Sequence, residues 1–301
     1  MRTLRDWWRR RSSAALGVCA DAAAPFVETP PAPIIDSRDC GLVDAVMGGW
    51  FQNATDELFR GFSITADDVV LDLGCGHGGS TLFCARRGAH VIFTDSEAAK
   101  VEALREKVRE TPARQAEGIV SDSLPLPLAD NLASKVIALE VLEHVEQPLA
   151  ILQELVRVGR PGAQYFISVP DQASEELQQA VAPALHFKSP NHIQVYSREA
   201  FAELVEGAGL IIESRHYYGF YWTLWMMLFW STKQAEGHAF SGATHDQIEP
   251  PFHPLLNSWA TLWHATINLP SGEKIRTALD QALPKSQIIL ARKPLPGEGA
   301  R

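Results

Sequence analysis

The sequence predicts an α/β fold in which buried strands alternate with amphipathic helices around one sheet. Val69–Leu73 is apolar at four of its five positions, as in a strand buried on both faces, and a glycine-rich turn and a helix follow it. His90–Asp95 is a second apolar strand, and it leads into the amphipathic helical pattern of Ser96–Glu110. Strands and helices that alternate in this way form a parallel sheet covered on both faces.

The turn after the first of these strands has the features of a nucleoside site. Glycines occupy four of the six positions from Gly74 to Gly79, so the chain can turn sharply and a ligand can approach the backbone. A helix that begins at Ser80 would offer free N–H groups beside that ligand. Asp95 follows about 20 residues later, where a carboxylate can accept hydrogen bonds from both ribose hydroxyls; a helix cap is its alternative role.

The spacing Asp72-x-Gly74-x-Gly76-x-Gly78 resembles motif I of the class I S-adenosylmethionine (SAM) methyltransferases. A dinucleotide fingerprint has no acid inside the strand. The resemblance implies SAM as cofactor, with Asp72 at its amino end and the glycines along its sulfur and ribose. A cationic sulfonium with an ammonium group also suits carboxylates better than a pyrophosphate does.

Later segments resemble the type 11 group of these enzymes as far as about Glu213. Leu124–Asp130 is similar to a loop of that group, and Glu140–Val145 is similar to a block of the ubiquinone-pathway O-methyltransferases. The resemblance implies a Rossmann-like, mostly parallel sheet of seven strands with helices on both faces. Strand seven, predicted at Gln287–Arg292, is then antiparallel, and a helical insert separates it from strand six at Leu210–Arg215.

The predicted cofactor site extends along this edge of the sheet. The resemblance implies that Asp122 accepts the adenine amino group and that Glu140 lies against the cofactor; loop capping is the alternative for Asp122. For Cys75, packing beside the turn is the alternative to cofactor contact. The predicted cofactor-binding residues are Asp72, Gly74, Cys75, Gly76, Asp95, Ser96, Asp122, Ser123 and Glu140.

Two histidines are candidate general bases, His144 and His192, with a structural hydrogen bond or packing as the alternative for each. If the chain turns helically after Leu139, then Glu140, Glu143 and His144 share one face. The resemblance implies that this trio binds magnesium in some ubiquinone-pathway enzymes. Magnesium prefers oxygen ligands, however, and we predict no metal here.

An aromatic run of fourteen residues without charge, Tyr217–Trp230, opens the insert. It is too short to span a bilayer, so a second helix at Pro254–Ile267, another subunit, a membrane surface or the substrate must cover it. The run leaves strand six at the rim where the cofactor turn lies, and we expect it to form a wall or roof of the acceptor pocket. The predicted substrate contacts are Tyr196, Tyr218, Trp222 and Trp225.

The predicted organisation is an N-terminal arm and linker over 1–40, a SAM-binding core over 41–217, the insert over 218–284, and a last strand and tail over 285–301. A helix is expected over Cys40–Phe62, and the basic, aromatic arm could touch acidic lipid or fold over its own domain. A net charge of −9 argues against broad nucleic-acid binding. We expect a cytoplasmic protein, peripheral at a membrane if the arm or insert binds one, and the insert could also serve a homodimer.

The predicted function is methyl transfer from SAM to a small molecule, at a hydroxyl oxygen of an apolar, lipid-like or glycan acceptor. A protein methyltransferase and a non-catalytic SAM-binding partner subunit are the alternatives. An NAD-type dehydrogenase is disfavoured, because Asp72 lies within the strand and the Glu140 block follows strand four.

Overall fold

The computed structural model describes residues 36–122 and 124–298. Residues 1–35 of the predicted N-terminal arm and linker, and Ser123, lie outside those ranges. Within them the strands are β1 Trp50–Gln52, β2 Glu57–Phe59, β3 Phe62–Ser63, β4 Val69–Leu73, β5 His90–Asp95, β6 Gln115–Val120, β7 Ala133–Leu139, β8 Gly159–Pro170, β9 Ile211–Tyr218 and β10 Ser286–Arg292. The helices are α1 Ser37–Gly48, α2 Gly79–Ala85, α3 Ala98–Arg109, α4 Pro148–Val158, α5 Gln172–Gln178, α6 Arg198–Gly207, α7 Phe220–Ala235, α8 Pro254–Ile267 and α9 Gly272–Ala282.

The central sheet has seven strands in the order β6-β5-β4-β7-β8-β10-β9. Strands β6, β5, β4, β7 and β8 pair in parallel, whereas β10 is antiparallel to both β8 and β9. The predicted fold class, including the reversed last strand, is therefore confirmed. The strand order changes direction beside β4, and ligands of open α/β sheets bind outside the carboxyl ends of the strands at such a point. We call this edge the carboxyl rim.

Successive residues of β4 pack into opposite cores because side chains alternate along a strand. Leu71 and Leu73 belong to the cluster that also contains Leu155 of α4. Val70 belongs to the cluster on the other face, which includes Phe83 of α2. This two-sided burial fixes the position at which the chain leaves the sheet after Leu73.

The helix predicted over Cys40–Phe62 ends early, and this prediction was wrong for its second half. Helix α1 stops at Gly48, and Gly49 adopts the left-handed conformation with φ 110° while its N–H bonds to the last helical carbonyls. The aromatic residues that follow form the antiparallel sheet β1-β2-β3.

The insert between β9 and β10 folds as α7, α8 and α9, of which α9 was not predicted. Its two ends lie at the carboxyl rim, since Ser286 pairs with both Tyr218 and Pro170. Asp280 of α9 accepts hydrogen bonds from the backbone N–H groups of Gly219 and Phe220 and so caps α7.

The aromatic run of the insert is largely an internal core. Tyr221, Trp225, Phe229 and Trp230 are fully buried, packed with α8 and α1. The indole N–H of Trp225 donates to Ser37 Oγ at 2.9 Å, and Trp263 donates to the buried Asp44 at 2.9 Å. The chain itself therefore covers most of the run, and among the described residues no helix is both long and apolar enough to cross a membrane.

We predict that Trp225→Ala destabilises the fold, because the substitution leaves a large cavity and removes the hydrogen bond to Ser37. The free energy of unfolding should fall by about 3–5 kcal/mol, measured by urea denaturation. Leu262→Ala is the control; Leu262 lies on α8 with 62% of its surface exposed, and its loss should change stability by no more than about 0.5 kcal/mol. Equal stability of the two variants would contradict the internal role of Trp225.

Candidate active site

The glycine turn begins at the carboxyl end of β4, and its conformation requires glycine. Gly74 has φ 69°, and a Cβ atom there would lie 2.6 Å from Cγ2 of Val141. Gly76 has φ 50°, and no atom of the described residues lies within 4 Å of the position a Cβ would take there. The turn is therefore packed against Val141 on one side and open to a ligand on the other.

Asp95 at the end of β5 is bound to this turn. Its Oδ2 accepts the backbone N–H of Gly76 at 3.0 Å, and its Oδ1 accepts that of Glu97 at 3.0 Å. The side chain is only half-buried, and each carboxylate oxygen has a second lone pair for a ribose hydroxyl. The predicted cap role and the predicted ribose role are thus compatible.

Asp72 is almost completely buried on the face covered by α2. Its Oδ2 accepts the hydroxyl of Thr81 at 2.5 Å, which ties β4 to that helix. Burial raises the pKa of Asp72 to about 6. Cys75 is also buried, packed in the cluster that contains Phe83, and its backbone N–H donates to Thr94 O at 2.8 Å.

Two further predicted cofactor residues follow neighbouring strands. Ser96 directly after β5 and Asp122 two residues after β6 are both exposed. Both lie at the carboxyl rim, so their predicted roles remain open to test.

Glu140 follows β7 and has φ 55°, so the segment after Leu139 does not continue as one helical face. Its carboxylate accepts the hydroxyl of Ser168 at 2.9 Å and the ammonium of Lys285 at 2.8 Å. Burial alone would raise the pKa of Glu140, but the adjacent Lys285 holds it below its usual value. The expectation that Glu140, Glu143 and His144 form one helical face was wrong, because only Leu142–His144 form a short 3-10 turn.

A cluster of histidines and carboxylates lies beside this turn. The rings of His144 and His192 have centroids 5.0 Å apart, and those of His186 and His192 are 4.4 Å apart. His192 Nδ1 is 2.8 Å from Oε2 of the buried Glu175. Burial would raise the pKa of Glu175, but the hydrogen bond from His192 holds it below its usual value. Glu175 gave no signal in the sequence, because it contacts His192 only through the fold.

Glu143 is fully buried at the centre of this cluster. Neither carboxylate oxygen accepts a hydrogen bond from any residue in the described ranges. Burial, together with the charge of Glu140, raises its pKa well above the usual value. Its backbone carbonyl accepts the N–H groups of Ile193 and Gln194, which holds the His192 loop against the 3-10 turn.

Two of the four predicted substrate contacts are internal. Tyr196 is buried, and its hydroxyl donates to Leu142 O at 3.0 Å. Trp225 is fully enclosed in the insert core. Neither side chain can line a pocket in this structure, so both predictions were wrong. Tyr218 and Trp222 are half-buried at the start of the insert and remain candidates.

The loop of the insert around residue 245 contacts two segments at the carboxyl rim. The hydroxyl of Thr244 is hydrogen-bonded to Nδ1 of His186 at 2.8 Å. The backbone N–H of Thr244 donates to Oδ1 of Asn191 at 2.7 Å. Lys100 of α3 lies 3.4 Å from Nε2 of His245. The loop around residue 245 therefore connects the His192 loop with the helix that follows Asp95.

Comparisons with known proteins agree with this geometry. Residues 49–215 match the family model described as a methyltransferase domain, and the chain belongs to that family. Methyltransferase GfsG of Streptomyces halstedii is 27% identical over 167 residues, which cover 53% of this chain and 58% of that protein. Ubiquinone biosynthesis O-methyltransferase of Pseudomonas aeruginosa (strain UCBPP-PA14) is 28% identical over 175 residues, which cover 50% and 72% of the two chains.

Solved structures agree on the fold. Geranyl diphosphate C-methyltransferase from Streptomyces coelicolor A3(2) has a TM-score of 0.50 and 15% identity, with 85% of this chain and 76% of that chain covered. The [4+2]-cyclase SpnF also has a TM-score of 0.50, with 18% identity and coverage of 86% and 81%. A fold that serves a cyclase as well does not by itself determine the reaction.

The chain is thus a member of the class I SAM-dependent methyltransferases, whose cofactor is SAM. The residues at the rim fit that cofactor. The open side of Gly76 would admit its ribose and sulfur, and Asp95 has lone pairs to accept the ribose hydroxyls.

We predict that Asp95→Ala lowers the affinity for SAM at least tenfold. The substitution removes two charge-assisted hydrogen bonds to the ribose, each of about 1.5–3 kcal/mol, and also releases the N–H of Gly76. Isothermal titration calorimetry measures the change. Glu102→Ala, which removes an exposed acid from α3, is the control and should leave the affinity unchanged. An unaltered affinity in folded Asp95→Ala protein would refute the ribose assignment.

Proposed function

We propose that this chain transfers the methyl group of SAM to a hydroxyl oxygen of a small-molecule acceptor, an apolar, lipid-like or glycan compound. The contact of Val141 with Gly74 carries the proposal. Through this contact, the loop that carries Glu140, Glu143 and His144 packs against the cofactor turn, so that acid–base groups lie next to the predicted sulfur position.

Methyl transfer from SAM to a hydroxyl requires no covalent intermediate with the protein. A lone pair of the acceptor oxygen attacks the methyl carbon, and the carbon–sulfur bond breaks with its electrons on sulfur, which leaves neutral S-adenosylhomocysteine. The hydroxyl proton must also leave. The enzyme therefore has to align oxygen, carbon and sulfur, exclude water and assist the loss of that proton.

The histidine cluster is suited to the loss of the proton. Nδ1 of His192 lies 2.8 Å from Oε2 of Glu175, and one ring nitrogen of His192 lies within 4.8 Å of ligand atoms of His144 and Glu143. The pair of imidazoles favours an oxygen acceptor, because a neutral hydroxyl is a weak nucleophile and needs a base to take its proton during attack, whereas a neutral amine attacks through its free lone pair. Relatives named as ubiquinone biosynthesis O-methyltransferases point in the same direction.

The insert contributes the acceptor side of the proposed pocket through its loop and its half-buried start, rather than through its aromatic core. Tyr218 and Trp222 are the remaining aromatic candidates there, and the loop at Thr244 packs on the His192 segment. Because most of the aromatic run is internal, the apolar character of the acceptor rests mainly on the named relatives.

We predict acceptor-dependent formation of S-adenosylhomocysteine when the chain is incubated with labelled SAM and a panel of quinone precursors, other phenols and sugar-lipids. His192→Ala should lower kcat about 10²–10⁴-fold, because the substitution removes the imidazole that accepts the hydroxyl proton of the acceptor. SAM affinity should stay within about threefold, a difference below ~0.7 kcal/mol.

His238→Ala is the matched control, since His238 is an exposed histidine of the insert, and it should keep full activity. Methylation of protein but of no small molecule in the panel would favour the protein methyltransferase alternative. SAM binding without any turnover would favour a non-catalytic partner subunit. Full activity of His192→Ala would contradict the role of the cluster.

A further inference from the structure

The fully buried carboxylate of Glu143 has no hydrogen-bond partner among the described residues, which is costly for a charged group. Glu140, three residues away, adds a second negative charge, although Lys285 pairs with it. A buried group of this kind needs either a proton or a cation. The surrounding side chains indicate which of these it takes.

Glu143, His144 and His192 each point one ligand atom toward the others, and these three atoms all lie within 4.8 Å of one another. Nε2 of His144 is 3.7 Å from Oε1 of Glu143. Atoms that bind one ion with bonds of about 2.0–2.2 Å lie at most about 4.4 Å apart, so the observed spacing is close to that of a loaded site.

Each imidazole also has a bonding partner at Nδ1. Nδ1 of His192 lies 2.8 Å from Glu175 Oε2, and Nδ1 of His144 lies 3.1 Å from the carbonyl oxygen of Pro190. Histidines that bind metal ions typically donate their second N–H to a carboxylate or a backbone carbonyl, which orients the ring and leaves Nε2 as the ligand.

We infer that Glu143, His144 and His192 bind a divalent transition-metal ion, with Glu175 and the Pro190 carbonyl as the groups that orient the two rings. Glu140 is not a ligand in this set, because its carboxylate does not belong to the group of close ligand atoms and bonds to Ser168 and Lys285 instead. His192 comes instead from a separate loop. Our expectation that the chain has no metal site is replaced by this inference.

The ligand types select the ion. Two imidazoles and one carboxylate suit zinc, manganese, iron or cobalt, whereas magnesium favours oxygen ligands and retains water. A neighbouring group, Glu175 with His186 and His192, does not form a second site of equal quality. In that group Glu175 and His192 are already bonded to each other.

The role of the ion in the reaction rests on the proposed function. Three protein ligands leave open positions, and one of them can hold the acceptor oxygen. A hydroxyl bound to such an ion loses its proton to water near neutral pH, so that the ion would supply the activation attributed to the cluster.

We predict that EDTA-treated protein binds one equivalent of Zn²⁺ or Co²⁺ more tightly than Mg²⁺, measured by calorimetry and by the visible absorption of Co²⁺. Glu143→Gln and His192→Ala should each weaken Zn²⁺ binding at least tenfold, and Glu175→Gln should weaken it about 10–100-fold. Glu140→Gln is the control, and should keep the affinity within about threefold.

A cooperative urea-unfolding transition, followed by circular dichroism, verifies that every variant is folded. Failure to bind any of these ions would overturn the inference, as would preference for Mg²⁺. Loss of Zn²⁺ binding in Glu140→Gln but not in His192→Ala would overturn the ligand set. Metal binding without methyl transfer would support the metal site and contradict the proposed function. Methyl transfer by a protein that binds none of these ions would support the proposed function and contradict the metal site.

Discussion

The contact between Val141 and Gly74 is the constraint on which the proposed site depends. Because Gly74 has no Cβ, the loop after β7 can pack directly on the turn after β4. The two strands are neighbours in the sheet, and their carboxyl ends meet where the strand order reverses. Any larger residue at Gly74 would separate the cofactor turn from the loop that carries Glu140, Glu143 and His144.

The insert gives this loop its second support. It contributes no charged group to the cluster, but Thr244 binds both His186 and Asn191, and Trp230 donates to Gln178 of α5 at 3.1 Å. These bonds fix the segment that carries His192 and the helix that carries Glu175. The insert thus supports the geometry of the cluster, in addition to any contact it makes with an acceptor.

The sequence predicted the elements with strong local signals and missed those that depend on distant contacts. The strands β4 and β5, the glycine turn and helix α8 at Pro254–Ile267 follow from apolar patterns and glycines, and the reversed last strand was implied by the family resemblance. The early end of α1 was missed because the pair Gly48–Gly49 was outweighed by the surrounding apolar residues. Trp225 was misassigned because composition cannot distinguish an aromatic pocket from an aromatic core. Glu175 could not be found at all, because it lies far from His192 in the chain.

The most direct test of the account is a structure of the chain with S-adenosylhomocysteine and Zn²⁺, in which anomalous scattering locates the metal. We expect the sulfur beside Gly74 and Gly76, and the zinc on Glu143, His144 and His192. Between sulfur and zinc there should be room for one acceptor oxygen and one methyl carbon, with about 3–3.5 Å between the reacting atoms. A sulfur atom away from the glycine turn, or a metal ion separated from it by protein side chains, would contradict the account.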